Sequence, residues 1–365
     1  MKIIKNIPNT FIFFLLISLI FFKIIIYFLI KNDFLSITFG GGNDSGYYHS
    51  YAIGQEDFAV NIWPVILSYL NQVGLYSRIG MSHILFSLNI FFIPFILTKI
   101  CNLNFYYDQK NYFYIFLIIS IYPTLFFYSM DVYRDVFMVF IFLVGCLVVK
   151  KTLKQTSLFY FCIFYFMACL IGVFLMALRP YMGYAFLMSL FLWKFKLTKK
   201  RLIILSILYF MGLFFANYIG VFESLNEYRS GFQEQLQGGS NLGLDFSNPI
   251  IFLPNFFLSA LGQLFGLYLV NPFAVLLFVI ETIPVLFMLF YIFKNIKYAD
   301  GFVRFLIIFF VLYASVWLIG NDNLGTAVRL RLYNYLVIYI CFFYILRLKR
   351  LSIDLTHNLV PTKRG

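Results

Sequence analysis

The sequence predicts an all-α fold, a polytopic bundle of transmembrane helices, on three observations. Of its 365 residues 62% are hydrophobic and only 12% are charged, against roughly 25% charged in soluble domains. The chain carries 50 Phe and 28 Tyr, more aromatic surface than a water-soluble fold can cover with so little charge. Its mean hydropathy is +0.88, and apolar runs of spanning length recur from end to end. Soluble enzymes, nucleic-acid binders, coiled coils and disulfide-rich secreted modules are excluded.

Runs that approach the ~20 residues a crossing requires lie at 8–30, 81–100, 111–130, 136–149, 158–178, 182–195, 202–222, 273–293, 302–320 and 332–346. The first follows Lys2 and Lys5, has no small-residue cleavage motif after it, and exceeds a signal h-region, so it is expected to be retained. Runs 136–149 and 182–195 are short and must borrow flanking residues. The stretch 250–270 holds Pro254, Asn255, Gly262, Gln263 and Gly266, which suit a broken or re-entrant element as well as a span.

Lysine sets the orientation. KKTLK (150–154), KFKLTKKR (194–201), KNIK (294–297) and RLKR (347–350) should face the cytoplasm. If 250–270 crossed, KNIK and RLKR would both move outside and the rule would fail twice. Treating it as non-crossing predicts ten spans in a single membrane domain, 1–365, with both termini cytoplasmic and the largest outward loops at 31–80 and 223–272.

The net charge, 28 Lys and Arg minus 15 Asp and Glu, is +13, and this topology explains most of it. The basic residues left outward are Lys31, Arg78, Arg134, Arg179, Arg229, Arg329 and Arg331, all but one arginine. Arginine offers a rigid fork of donors suited to carboxylate or phosphate. Outward arginines oppose the topology rule, so they point to function.

Several constellations follow from that face. FGGGNDSGYYHSYAIGQED (39–57) places Asp44 on a turned, glycine-rich loop beside Tyr47, Tyr48, His49 and Tyr51, a setting for sugar binding and proton transfer. The plainer alternative is an Asx-turn with interfacial tyrosines. Val60, Trp63, Ile66, Leu67 and Leu70 sit at helical spacing and predict an interfacial helix that holds the Asp44 loop down.

In YSMDVYRDVF (128–137), Asp131, Arg134 and Asp135 are spaced i, i+3, i+4 and would share one helical face. That makes Arg134 a functional candidate held by its carboxylates, a self-satisfied ion cluster being the alternative. ALRPYMGY (177–184) puts Arg179 at the next corner, where Pro180 stops a helix; alone it reads equally as a snorkelling helix end. The 223–249 loop, with Arg229 and GGSNLG, suits a flap over substrate or an ordinary solvated loop. GNDNLGTAVRLRLYNY (320–335) carries Arg329 and Arg331. On a regular helix the two would diverge; in an extended segment both would line one cavity.

No HExxH, Walker, GxSxG or paired-cysteine pattern is present. Cys101, Cys146, Cys162, Cys169 and Cys341 read as packing residues, as do Lys23 and His83, and Glu281 is a lone acid inside a span.

PTLFFYSMDVYRDVF, ALRPY, the YRSG…GGS loop and NLGTAVRLR, in that order behind an Asp-Tyr-His first loop, resemble Wzy-type O-antigen or exopolysaccharide polymerases and their EpsG-like relatives. The outward loop pair is shorter here than in many of them. The resemblance implies a multi-pass protein of the bacterial inner membrane with a glycosyltransferase-C-type fold, a glycosyltransferase acting on undecaprenyl-diphosphate-linked glycans at the outer, periplasmic face. It implies functional roles for Arg134, Arg179, Arg229, Arg329 and Arg331, and Asp44 is similar to the catalytic acid of lipid-sugar transferases of that class. Arg329, Arg331 and Asp44 are then catalytic; Tyr48, His49, Asp131, Arg134, Arg179 and Arg229 bind substrate. No cofactor, resident metal or nucleic acid is expected; the partners are the bilayer, the lipid-linked glycan and, the resemblance allows, a chain-length regulator. The alternatives are a single-sugar transferase using a polyprenyl monophosphate carrier, with or without a divalent metal, and third a glycan flippase or transporter, which would favour deep charges and an internal repeat.

Overall fold

A computed structural model describes residues 8–35, 44–195, 198–234 and 241–359. The protein is all-helical, 79% helix, and among the described residues the only β pairing is an isolated bridge between Asn241 and Asn323. Among the described residues, seven helices are long and apolar enough to cross a membrane.

In chain order the helices are α1 (Asn9–Lys31), α2 (Asp44–Ala52), α3 (Ile62–Gln72), α4 (Arg78–Ile100), α5 (Gln109–Ile121), α6 (Pro123–Phe127), α7 (Arg134–Thr152) and α8 (Leu158–Leu178). Then follow α9 (Pro180–Leu192), α10 (Lys199–Tyr218), α11 (Glu223–Glu234), α12 (Pro249–Leu264), α13 (Pro272–Lys294), α14 (Gly301–Gly320) and α15 (Leu324–Leu359). The spanning seven are α1, α4, α8, α10, α13, α14 and α15. At 1.5 Å per residue the 20 residues of α14 reach about 30 Å, the thickness of a hydrocarbon core.

Local chemistry sets the boundaries. Ser77, Thr198, Asn271 and Asp300 cap α4, α10, α13 and α14 by accepting from the amides of Gly80, Arg201, Ala274 and Val303. Pro123 and Pro180 open α6 and α9 and force extended backbone on Tyr122 and Arg179 before them. The apolar run 111–130 is therefore cut into α5 and α6 rather than continuing as one rod.

Burial orders the bundle. α15 is the axis, 78% buried over its apolar window, and α10 is the most peripheral span, at 6%. α15 packs on α14, α13 and α4, while α7 sits between α4 and α8. Three π-turns, Leu88–Phe92, Ala260–Leu264 and Phe278–Thr282, each carry a fully buried polar residue: Asn89, Gln263 and Glu281. The extra residue in such a turn re-aims a side chain that a regular helix would direct elsewhere.

The 250–270 stretch packs against the corner where α14 ends. On its entry side Phe246 packs on Phe252 and lies under the Arg229 guanidinium. On its exit side Gln263 Nε2 donates to Asn321 O at 2.8 Å, an oxygen that also accepts from Arg229 Nη1 at 2.6 Å. Phe246, just before α12, and Gln263, near its end, are thus linked through Arg229 and Asn321 where α14 ends and α15 begins, although the helix between them is about 22 Å long.

Candidate functional site

Asp135 is the hub of the site. It stands in the first turn of α7, fully buried, where the helix N-terminus favours a carboxylate. Its carboxylate accepts from Arg179 Nη2 at 3.3 Å and from Arg329 Nε and Nη2 at 3.2 and 2.8 Å. Arg329 turns its remaining nitrogen, Nη1, to Asp44 at 2.6 Å and lies over the Tyr128 ring at 4.9 Å. Tyr333, one turn further along α15, donates to the Asp135 carbonyl at 3.3 Å and lies under Arg179. Residues 44, 135, 179 and 329, scattered along the chain, form one ion cluster.

The cluster is short of acceptors. Among the described residues, Arg134, Arg179 and Arg329 face the carboxylates of Asp44 and Asp135, three positive charges against two negative. Arg179 is 4% exposed, and its Nε and Nη1 have no partner; Arg134 Nε is likewise buried and unsatisfied. Buried guanidinium N–H groups without acceptors are costly, and an anion would satisfy them. Asp44 is the rim: its side chain is 36% exposed, whereas that of Arg329 is 7% exposed.

Several expectations change shape. Asp44 opens a helix, α2, rather than sitting on a loop; the glycines at 40–42 and Asn43 before it lie outside the described residues, as does the GGS at 238–240. α3 does hold α2 in place: the two pack together, and Trp63 on α3 donates to Val132 O at 2.8 Å and stacks on Phe137 at the start of α7. Tyr48 is buried on the cluster side, within the fields of Arg134, Asp44 and Asp135, and burial raises its phenol above the ordinary range. Tyr47 is committed elsewhere, to Phe58 O and Val60 N. His49 pairs with Tyr76 at 3.0 Å, apart from the cluster.

The Asp131–Arg134–Asp135 face does not form, because α7 begins at Arg134 and leaves Asp131 outside it. Asp131 instead takes a two-pronged bond from Arg78, at 3.0 and 2.5 Å. Burial works to raise its carboxyl, but the Arg78 bond and charge hold it below the usual carboxylate range. Arg134 is not held by these acids through hydrogen bonds; its Nη1 donates to Leu178 O at 2.9 Å.

Arg329 and Arg331 do not line one cavity. α15 is regular there, so positions two apart point about 200° from each other. Arg331 Nη2 reaches Glu281 Oε2 at 3.1 Å. The other Glu281 oxygen accepts from the Thr124 amide at 3.1 Å and hydroxyl at 2.6 Å. Glu281, a lone acid in the sequence, is thus a second centre; its only sequence signal was a carboxylate inside an apolar run.

Arg229 is no flap residue either. It bonds the Leu244, Ile319 and Asn321 carbonyls at 2.9, 3.1 and 2.6 Å and the Asp322 carboxylate, capping the C-terminal end of α14. Lys23 and His83 are packed as expected, over Phe126 and against the Tyr27 hydroxyl. Cys101, Cys146 and Cys341 are buried, whereas Cys162 is exposed.

Among the described residues no cluster of His, Cys, Asp and Glu would hold a metal ion. Comparison with protein-family models, curated proteins and solved structures gives no match. The cluster itself is what points to function: buried, forked cations with spare donors, and one accessible carboxylate at their edge.

Proposed function

We propose that the protein is a membrane glycosyltransferase that polymerises undecaprenyl-diphosphate-linked repeat units, O-antigen or exopolysaccharide, at the outer face of a bacterial inner membrane. The observation that carries the reading is the Asp135-centred cluster, with the unsatisfied Nε and Nη1 of Arg179 beside Arg329. A diphosphate would meet those donors in a buried setting, where charge-assisted bonds are strongest, and they would stabilise the charge that grows on the leaving group. The acceptor hydroxyl oxygen would attack the anomeric carbon, the bond from that carbon to the diphosphate oxygen would break, and Asp44 would take the hydroxyl proton. Arg179, Arg329 and Asp44 are the working set; Arg134 and Tyr48 border it.

The topology that goes with this reading has ten crossings in a glycosyltransferase-C-like arrangement, both termini cytoplasmic. It adds the α5–α6 pair, α7 and α9 to the seven long helices and leaves α12 on the outer side, a placing supported by the bond from Gln263 to Asn321 O at the end of α14.

The test is a deletion strain complemented with wild type, Arg179→Ala or Arg329→Ala, its surface glycan resolved by size and the membrane protein quantified. Loss of the long ladder at normal protein level in either variant is expected. Full-length polymer in both would overturn the reading. A ladder shifted by one sugar in the deletion strain would favour the single-sugar transferase, which would use the same Asp44 and Arg329.

A further inference from the structure

The cavity of greatest consequence outside the ion cluster lies between α10, α13, α14 and α15. It holds about 520 Å³, within the ~300–1,000 Å³ range of ligand sites. Leu202 and Ser206 of α10, Leu289 and Phe293 of α13, Phe310 of α14 and Ile338 of α15 are among its walls. α10 creates it by standing off. Its middle is tied to the bundle by Tyr209 against Ser315 and by Phe210 against Phe256 and Phe257, and its first half, where Ser206 is exposed, packs on little else. The gap opens sideways to the surrounding hydrocarbon.

Depth and charge identify what fills it. Counted along α15, Cys341 of the lining is twelve residues beyond Arg329, about 18 Å further along the helix than the Asp135 cluster. The cavity therefore occupies the half of the bundle away from that cluster. At its far end its walls adjoin basic side chains in sequence: Lys200 and Arg201 precede Leu202, while Lys294 and Lys297 flank Ile296, which also lines the cavity. Among the described residues no carboxylate pairs with these four; Asp108 is engaged with Arg350, and Asp300 with Tyr344 and the Val303 amide.

We propose that this cavity is a binding site for one acyl chain of an anionic phospholipid, whose phosphate headgroup is held by Lys200, Arg201, Lys294 and Lys297. An apolar slot beneath a basic rim matches such a lipid in both parts. A chain entering from the opposite surface would have to pass the mid-depth of the hydrocarbon first. The site is independent of the proposed transfer reaction and would anchor the loosely packed α10 to the bundle.

The test uses purified protein in phosphatidylethanolamine nanodiscs doped with phosphatidylglycerol carrying a diazirine at the end of one acyl chain, against the same probe on phosphatidylcholine. After irradiation, peptides from α10, α13 and α15 should carry the phosphatidylglycerol label preferentially. Lys294→Gln and Lys297→Gln should each weaken labelling roughly fivefold; both are exposed, so folding is spared. Ile338→Trp, which fills the slot, should abolish it. Equal labelling by the two probes, label spread over the outer surface, or displacement of the probe by a polyisoprenyl diphosphate would each overturn the proposal. The last would assign the cavity to a substrate tail.

Discussion

Arg329 and Arg331 stand two residues apart on one helix and serve different carboxylates: Arg329 Nη2 lies 2.8 Å from Asp135 and Arg331 Nη2 lies 3.1 Å from Glu281. The α-helical twist sends one toward α7 and the other toward α6 and α13. Arg329 joins a cluster with an accessible edge at Asp44, whereas Arg331, whose Nε also lacks a partner, joins a fully buried carboxylate whose other oxygen already accepts twice from Thr124. The first arrangement can accept an anion; the second closes a gap between broken helices.

That division has a measurable consequence. Arg331→Met alone leaves the buried Glu281 without its cationic partner and should lower stability by about 3–5 kcal/mol. Combining it with Glu281→Gln, which still accepts from Thr124, should recover most of the loss. Glycan polymerisation should return with the double variant, since this pair is placed away from the transfer site. Recovery of stability without polymer would put Arg331 back among the catalytic residues.

Asp135 holds two guanidinium groups in a fully buried position. Asp135→Ala strands them, so a stability loss of about 3–5 kcal/mol is expected, read as a lower melting temperature in detergent. The conservative Asp135→Asn should fall between the two.

Asp44 behaves differently because its side chain is 36% exposed. Asp44→Asn should leave melting temperature and membrane level close to wild type and still abolish polymer, since an amide cannot take the hydroxyl proton. An Asp44→Asn strain with a normal ladder would remove Asp44 from the mechanism.

The Arg78–Asp131 pair supplies a pH dependence. The Asp131 carboxyl is held lower in the folded protein than its unfolded value, which is about 3.9. Its stabilising contribution is therefore fully present above that value and disappears as the pH falls through the lower folded one. Melting temperature measured from neutral pH down to pH ~3 should drop more steeply in wild type than in Asp131→Asn.

Much of this was legible in the residues. The apolar runs that became α1, α4, α8, α10, α13, α14 and α15 announced themselves, because a span must satisfy its own backbone and present an apolar surface to lipid. Pro180 marked the break at Arg179, and Trp63 at helical spacing marked the α3 platform. The basic residues that opposed the topology rule stand out as a group in the sequence, but the partner of each was not legible. Arg229 looked like a flap residue and became a helix cap; Asp131 looked like a partner for Arg134 and went to Arg78.

The sequence by itself determined that this is a multi-pass helical membrane protein, because hydrophobicity and length are properties of contiguous residues. Which arginine meets which carboxylate was decided only by the tertiary structure. Asp44, Asp135, Arg179 and Arg329 come from four separate segments, and their pairing follows from helix phase and from the way α7 packs, while a π-turn carries the Glu281 that meets Arg331. A side chain's direction depends on its rotation about the helix axis, and one residue of shift turns it by about 100°. No local pattern carries that angle from one helix to the next.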